Sequence, residues 1–212
     1  MAKRRQPPKP LKRRTGFRQP KKTLVVFCEG TVTEPEYLDA LKKLPEVREV
    51  AAVDIHVQHA QGGAVPMTLV GAAVEAKKRA DQEEGEIDEF WCVFDVEWPK
   101  NHPDLDRAVT LAKDHGIDLA ISNPCFEIWL ALHLADHSSW CDNNEARRIR
   151  HKLDGHDDKS LDPNTYMPRR ADAVRRARTL DSRHEGNDTK FPNNNPSSGM
   201  HRLVVSVDPS IV

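Results

Sequence analysis

Short apolar segments alternate with helix-like segments along most of the chain, and this order constrains the fold more than any other feature of the sequence. Four segments are predicted to be strands because they are short, apolar and rich in β-branched residues: residues 22–28, 50–59, 90–94 and 117–121. Helical patterns lie between them and start at Thr33, Pro66 and Asn101. Strands separated by such helices pair in parallel through right-handed crossovers. The sequence therefore predicts an α/β fold, a parallel sheet flanked by helices.

The region after the fourth strand is predicted to be mainly helical. Residues 125–135 are apolar on nearly every side, which indicates a helix buried against the sheet. Two amphipathic helices follow at residues 144–153 and 168–183, and a last short segment covers residues 201–207. The predicted organisation is a basic arm, an α/β core and a helical appendage packed on the core: residues 1–21, 22–140 and 141–212.

Charge is distributed very unevenly along the chain. The net charge of the 212 residues is -1, yet residues 1–22 carry ten basic side chains and no acidic one. A basic, proline-rich arm of this kind buries too little apolar surface to fold alone, so we expect it to be disordered. It could bind the phosphate backbone of a nucleic acid by counterion release, or dock on the acidic remainder of the chain.

The composition also bears on location and on the use of cysteine. No apolar run approaches the roughly 18 residues of a membrane-spanning helix, and the amino terminus lacks the apolar region of a signal peptide. The cysteines show no CxxC pairing, which favours buried free thiols over a disulfide or a zinc site. These are Cys28, Cys92, Cys125 and Cys141. We therefore expect a cytoplasmic protein without a membrane segment.

Acidic side chains follow two of the predicted strands. Glu29 ends the first strand and is followed by Gly30, which allows a sharp turn and a close approach to a ligand. Asp95 and Glu97 end the third strand, and they point to the same side if the strand continues that far. Carboxylates that converge at one sheet edge repel each other unless a cation lies between them, and Mg²⁺ or Mn²⁺ fits this role. Acidic residues after strands also cap helices and turns, which is the alternative explanation.

Two further groups of side chains are candidates for substrate binding. Asn123 and Glu127 follow the fourth strand at the same sheet edge, although both also suit the start of a helix. Basic residues of the last long helix could follow a phosphate backbone, or form a solvated helix face. The candidates among them are Arg169, Arg170 and Arg175. Glu34 and Glu36 are interpreted as first-turn residues that complement the helix dipole.

Four sequence segments together resemble a known protein family. The segments LVVFCEGTVTEPEYL, FWCVFDVEWP, SNPCFEIWLALHL and NPSSGMHRLV occur in this order within residues 22–207. The chain resembles the RloB family of bacterial proteins, which are linked to restriction, abortive infection and anti-phage defence. That family is similar to Toprim domains, which implies a Rossmann-like sheet with a glutamate after the first strand and an Asp-x-Asp pair after the third. The resemblance aligns Glu29 with the glutamate and Asp95 with the first aspartate, whereas Glu97 replaces the second.

The resemblance implies a metal-dependent nuclease. Asp95 and Glu97 would hold magnesium, while Glu29 would act as the general base for an attacking water or as a further metal ligand. An AAA-type ATPase is the implied partner, and DNA or RNA is the implied substrate. The Asp-x-Glu departure leaves open a non-catalytic nucleic-acid-binding, sensor or adaptor subunit. A phosphotransferase or phosphohydrolase acting on small nucleotides would use the same metal chemistry.

Overall fold

A single five-stranded sheet forms the centre of the computed structural model, which describes residues 21–57, 65–83, 86–155 and 160–211. In chain order the strands are β1 Lys22–Cys28, β2 Ala51–Val57, β3 Glu89–Asp95, β4 Asp118–Asn123 and β5 Ser197–Ser198. Their spatial order is β2-β1-β3-β4-β5. The first four are parallel, and β5 is antiparallel to β4. The predicted α/β fold with a mainly parallel sheet is confirmed.

Helices connect the strands and cover the sheet. In chain order the α-helices of the described ranges are α1 Thr33–Lys43, α2 Pro45–Val50, α3 Pro66–Gln82, α4 Leu105–Asp114, α5 Glu127–Leu134, α6 Asn143–Asp154, α7 Pro163–Tyr166, α8 Arg170–Gly186 and α9 Met200–Val207. Short 3₁₀ segments occur at Met167–Arg169 and Pro209–Ile211.

Both faces of the sheet are buried. Successive strand side chains point to opposite faces. On one face Val26 and Val93 join a core that includes residues of α1, α5, α8 and α9. On the other face Phe27 and Phe94 pack with residues of α3 and α4. This double coverage explains why β1 and β3 are continuous apolar runs in the sequence instead of alternating patterns.

Several predicted boundaries differ from the observed ones. Strand β2 begins at Ala51 because the preceding residues form the short helix α2. Helix α1 begins at Thr33 as predicted, with Val32 at the N-cap and no side-chain cap. Helix α4 begins at Leu105 instead of residue 101. The predicted strand end at residues 58–59 lies outside the described residues, and so do residues 1–20 of the predicted basic arm.

The carboxyl-terminal elements belong to the core that covers one face of the sheet. Ala177 of α8 and Leu203 of α9 are fully buried in the same cluster as residues of α1 and α5. The segment at residues 201–207, to which the sequence assigned no structure, is the body of α9. The region predicted as one helix at residues 168–183 is preceded by α7 and a 3₁₀ segment before α8 begins.

Cysteine burial agrees with the sequence prediction. All four cysteines are free and buried, as expected for thiols that pack in the core. None of the helices in the described ranges has both the length and the apolar character needed to cross a membrane.

Candidate active site at the carboxyl edge of the sheet

Strands β1 and β3 are neighbours, so their carboxyl ends bring Glu29 and Asp95 together. The Glu29 backbone N–H donates a hydrogen bond to the Val93 carbonyl at 3.0 Å, which extends the pairing of the two strands. The Asp95 backbone N–H donates in turn to Oε2 of Glu29 at 3.2 Å. The Glu29 carboxylate is therefore held directly over the end of β3.

Further carboxylates converge on Asp95. Burial raises the pKa of its carboxyl group well above the ordinary value, and the charges of Glu34, Glu127 and Glu29 raise it further. A backbone hydrogen bond from Phe126 opposes this rise. We call Glu29, Glu34, Asp95 and Glu127 the acidic cluster. Its members come from two strand ends and from the first turns of two helices, α1 and α5.

Gly30 makes room for one member of the acidic cluster. A Cβ atom at this position would overlap the carboxylate of Glu34, which folds back over Gly30 from the first turn of α1. Glu34 is only 7% exposed, whereas Glu36 in the same turn is exposed. The sequence interpretation treated these two residues alike, but the structure buries one of them beside Asp95. The close approach expected at Gly30 is thus made by a side chain of the protein itself.

Glu97 does not continue the alternation of β3. The strand ends at Asp95, and Glu97 has a left-handed backbone with φ of 64°. The condition under which Asp95 and Glu97 would share one side of a strand is therefore not met. The Glu97 backbone N–H donates to the Pro124 carbonyl at 2.9 Å, which fixes the turn beside β4.

His102 links Glu97 to Glu29. Its Nε2 atom lies 2.8 Å from Oε1 of Glu29 and 4.0 Å from Oε2 of Glu97. Contact with Glu29 raises the pKa of His102, because the carboxylate favours the charged imidazole, while partial burial opposes the rise. Glu29 and Glu97 therefore face the same imidazole, although they reach it from different backbone geometries.

Glu127 and Asn123, the candidates after β4, have different environments. Oε1 of Glu127 lies 3.8 Å from Nε of Arg147, and the Glu127 side chain is 15% exposed. Asn123 is almost fully buried, its Oδ1 accepts a hydrogen bond from the Trp98 indole, and its Nδ2 donates to the Pro192 carbonyl. Asn123 thus joins the turn after β3 to the segment before β5.

The three arginine candidates contact residues outside the acidic cluster. Arg170 pairs with Glu46 and Asp208. Nη1 of Arg169 donates to the Thr165 carbonyl at 2.7 Å. The exposed Arg175 pairs with Asp172 one turn earlier on α8. The arginine that does contact the cluster is Arg147 of α6, which the sequence analysis did not select.

The donor atoms at this edge suit a hard divalent cation in their chemistry. All members of the acidic cluster offer carboxylate oxygens, the ligands that magnesium and manganese prefer. Burial and the negative charges of Glu34, Glu127 and Glu29 raise the pKa of Asp95, and a cation bound among these carboxylates would oppose that rise. Within the described ranges, however, no three His, Cys, Asp or Glu side chains are grouped so that they could hold a metal ion. The donors thus fit a metal in type, and their present spacing is not that of a complete ligand set.

Some residues of this edge carry no signal in the sequence. His102 lies in the irregular segment between β3 and α4, where no periodic pattern shows which way a side chain points. Arg147 lies on a strongly charged helix whose exposed and inward residues look alike in the sequence. Trp98 is different, because it stands directly after Glu97 in the sequence and could have been chosen as a candidate from that position.

Comparison with known proteins gives one match. The family model described as RloB-like protein matches residues 24–207, which is most of the chain. No curated protein and no solved structure matches the chain.

Proposed function

The chain belongs to the RloB-like protein family, and from this premise we propose that it is a metal-dependent nuclease that hydrolyses phosphodiester bonds at the acidic cluster. The observation that carries the proposal is the convergence of Glu29, Glu34 and Glu127 on Asp95, whose pKa they raise. Strongly perturbed carboxyl groups at the carboxyl edge of a parallel sheet are typical of catalytic sites.

The residues of the edge have distinct roles in this proposal. Asp95 would hold magnesium or manganese, with Glu29 as the base for water or as a further ligand, and Glu97 would join as a ligand only from the left-handed turn beyond β3. The bound metal would supply a Lewis acid that polarises the phosphate and offsets developing negative charge. Glu29 would receive the proton of the attacking water at Oε1, the atom that now contacts His102. His102 would hold the Glu29 carboxylate in position before and after this proton transfer.

The wider biological setting is also a proposal. The resemblance to RloB proteins supports a role in prokaryotic anti-phage defence, together with an AAA-type ATPase partner. The sequence is consistent with this division of labour, because it contains no GxxxxGK[ST] phosphate-binding loop of its own.

The proposed activity is tested with purified protein and labelled DNA and RNA. We expect cleavage that depends on magnesium or manganese and falls by roughly 100-fold or more in Glu29→Gln and in Asp95→Asn. Glu75→Gln is the matched control, because Glu75 is an exposed carboxylate of α3 that pairs only locally with Lys78. Magnesium should also raise the melting temperature of the wild type but not of Asp95→Asn.

Two results would contradict the nuclease proposal. The first is a wild type that cleaves neither DNA nor RNA with either metal. The second is undiminished cleavage by well-folded Glu29→Gln and Asp95→Asn variants. Parallel assays with mononucleotides distinguish a nuclease from a phosphohydrolase that acts on small nucleotides.

A non-catalytic binding or adaptor subunit is the second candidate. It is favoured by the counter-charges that the protein itself supplies, since His102 contacts Glu29 and Arg147 faces Glu127. On this alternative the acidic cluster is a closed structural network. Nucleic-acid binding without cleavage, together with a melting temperature that magnesium leaves unchanged, would be its signature.

A further inference from the structure

We propose that Trp140 is a stacking platform for an unpaired nucleobase, so that the acidic cluster acts on single-stranded nucleic acid. This inference rests on the proposed nuclease function for the reaction, while the platform itself is a binding feature that can be tested separately. Four observations carry it: the exposure of Trp140, its contact with Trp98 at the ends of β3 and β4, the bonds that hold its loop, and its separation from the other exposed apolar side chains.

Trp140 is exposed at the same edge of the sheet as the acidic cluster. Its side chain is 59% exposed, although tryptophan is usually a largely buried residue. Its ring packs edge-on against Trp98, with centroids 6.0 Å apart and an interplanar angle of 73°. Trp98 directly follows Glu97 in the chain, and its indole N–H donates to Asn123 at the end of β4. The two indoles thus connect the exposed surface to the ends of β3 and β4.

Buried amide side chains hold this pair in place. Asn195 is 6% exposed and bonds both backbone groups of Cys141: its Oδ1 accepts from the N–H at 3.3 Å, and its Nδ2 donates to the carbonyl at 2.8 Å. Oδ1 of Asn143 accepts from the Trp98 backbone N–H at 2.8 Å. A fixed aromatic ring loses little conformational freedom when a ligand stacks on it, so this arrangement favours binding.

The isolation of Trp140 favours a nucleobase over a protein partner. The other large apolar side chains exposed in the described ranges are Val50 and Leu153. Leu153 lies near the far end of α6, about 15 Å along the helix from its first residue. Val50 precedes β2 at the opposite edge of the sheet. A protein interface needs a ring of surrounding contacts, whereas a nucleobase needs a single aromatic face.

A nucleotide bound here would also meet a cation. Arg147 lies on α6 just after Trp140, its side chain is 57% exposed, and its Nε is 3.8 Å from Glu127. It can contact the phosphate of a nucleotide whose base is stacked on Trp140. Bases within a duplex already stack on both faces, so only an unpaired base offers a free face to the indole. The geometry therefore selects single strands.

Binding is measured by fluorescence polarisation with labelled oligothymidine and oligouridine of about 12 nucleotides, with calcium in place of magnesium to limit hydrolysis. We expect Trp140→Ala to weaken binding roughly 5- to 150-fold, the loss of stacking on one base. Trp140→Phe should recover most of the affinity, because it keeps an aromatic face. Leu153→Ala, which truncates another exposed apolar side chain, should leave binding unchanged. The duplex form of each oligonucleotide should bind more weakly than the single strand.

An abasic oligonucleotide of the same length separates stacking from a structural role. The abasic strand keeps its phosphates but has no nucleobases, so Trp140→Ala and the wild type should bind it equally. An equal loss on both oligonucleotides, no loss on either, or no single-strand binding by the wild type would overturn the inference. Cleavage by the wild type with no effect of Trp140→Ala on binding would support the nuclease proposal and contradict the stacking platform. Base-dependent binding without cleavage would support the stacking platform and contradict the nuclease proposal.

Discussion

At the scale of single residues, Gly30 is the position where backbone and chemistry constrain each other most closely. The space beside its Cα is filled by the Glu34 carboxylate, which also raises the pKa of Asp95. A methyl group at Gly30 would have to displace a buried carboxylate. Gly30 is therefore required by the acidic cluster even though its backbone is not left-handed.

Gly30→Ala should destabilise the protein by about 1–3 kcal/mol, the usual range for overpacking a buried position. In a Glu34→Ala background the same substitution should be nearly neutral, because the overlapping carboxylate is gone. Urea denaturation of the four proteins in this cycle measures the coupling between the two positions. Additive effects would contradict the contact.

Asp95→Asn should raise stability at pH 7. The pKa of Asp95 is raised in the folded state, so the folded chain holds this proton more tightly than the unfolded chain does. The free energy of unfolding therefore falls as pH rises above the ordinary carboxyl range, and the neutral amide removes this loss. With EDTA present, we expect a melting temperature a few degrees higher, which corresponds to about 1 kcal/mol for a chain of this length.

Glu75→Gln is the control for this measurement. Lys78 lowers the pKa of Glu75, so this substitution should not raise the melting temperature. A lower melting temperature for Asp95→Asn than for the wild type would show that Asp95 stabilises the metal-free protein.

The sequence revealed part of this edge, for reasons that belong to individual residues. Glu29 and Asp95 were predictable, because the ends of neighbouring parallel strands lie together. Glu34 was not, because most glutamates in a first helical turn are exposed and only the absent side chain of Gly30 admits this one. The expectation for Glu97 assumed a continued strand, whereas its left-handed backbone turns the chain after Val96. The position of His102 could not be predicted, because it depends on the path of an irregular segment.

At the scale of elements, α5 is the helix against which α6 and α8 pack on one face of the sheet. Its residues are apolar on nearly every side because it contacts α6 and α8 as well as the sheet. His133 is a buried polar exception and is 1% exposed. Its Nδ1–H donates to the Trp129 carbonyl at 2.9 Å, so in the neutral ring Nε2 accepts from the Tyr37 hydroxyl at 3.1 Å. This bond ties α5 to α1.

His133 should make the protein sensitive to acid. Burial lowers its pKa to about 4, from an ordinary 6.5. Between these values the unfolded chain binds a proton that the folded chain excludes, so the free energy of unfolding falls as pH decreases through this window. The difference amounts to about 3 kcal/mol. His133→Gln should be less stable at pH 7 but should lose less stability between pH 7 and pH 4 in urea titrations. Parallel losses in the two proteins would contradict this role.

The elements that the sequence did not predict owe their existence to neighbours. Strand β5 has two residues, too few to show a pattern, and it exists because Ser197 and Ser198 pair with the end of β4. Helix α2 has six residues and fills the turn before β2. The helices α1, α3 and α6 were predictable because their buried stripes repeat over several turns, and α5 because it is apolar on nearly every side.

At the scale of the whole molecule, the charge asymmetry gives a test of the basic arm. Residues 1–20 carry eight basic side chains and no acidic one, while the rest of the chain is acidic. If these side chains contact phosphates, removing them should weaken nucleic-acid binding and flatten its dependence on salt. Each lost phosphate contact changes the slope of log K against log salt by about 0.7 on a single strand. A variant with these Lys and Arg residues replaced by Gln keeps the length of the arm as a control. Unchanged slopes would show that the arm does not bind nucleic acid.

The direction of β1 has a practical consequence for handling the protein. The strand enters the sheet at Lys22 and ends at Cys28, just before Glu29. At about 3.3 Å per residue it spans about 20 Å. A biosensor chip or bead that captures the chain through a tag placed directly before Lys22 therefore holds it from the edge opposite the acidic cluster. Immobilised in this way, the protein presents its carboxylates and Trp140 to the flowing solution, which suits the binding measurements described above.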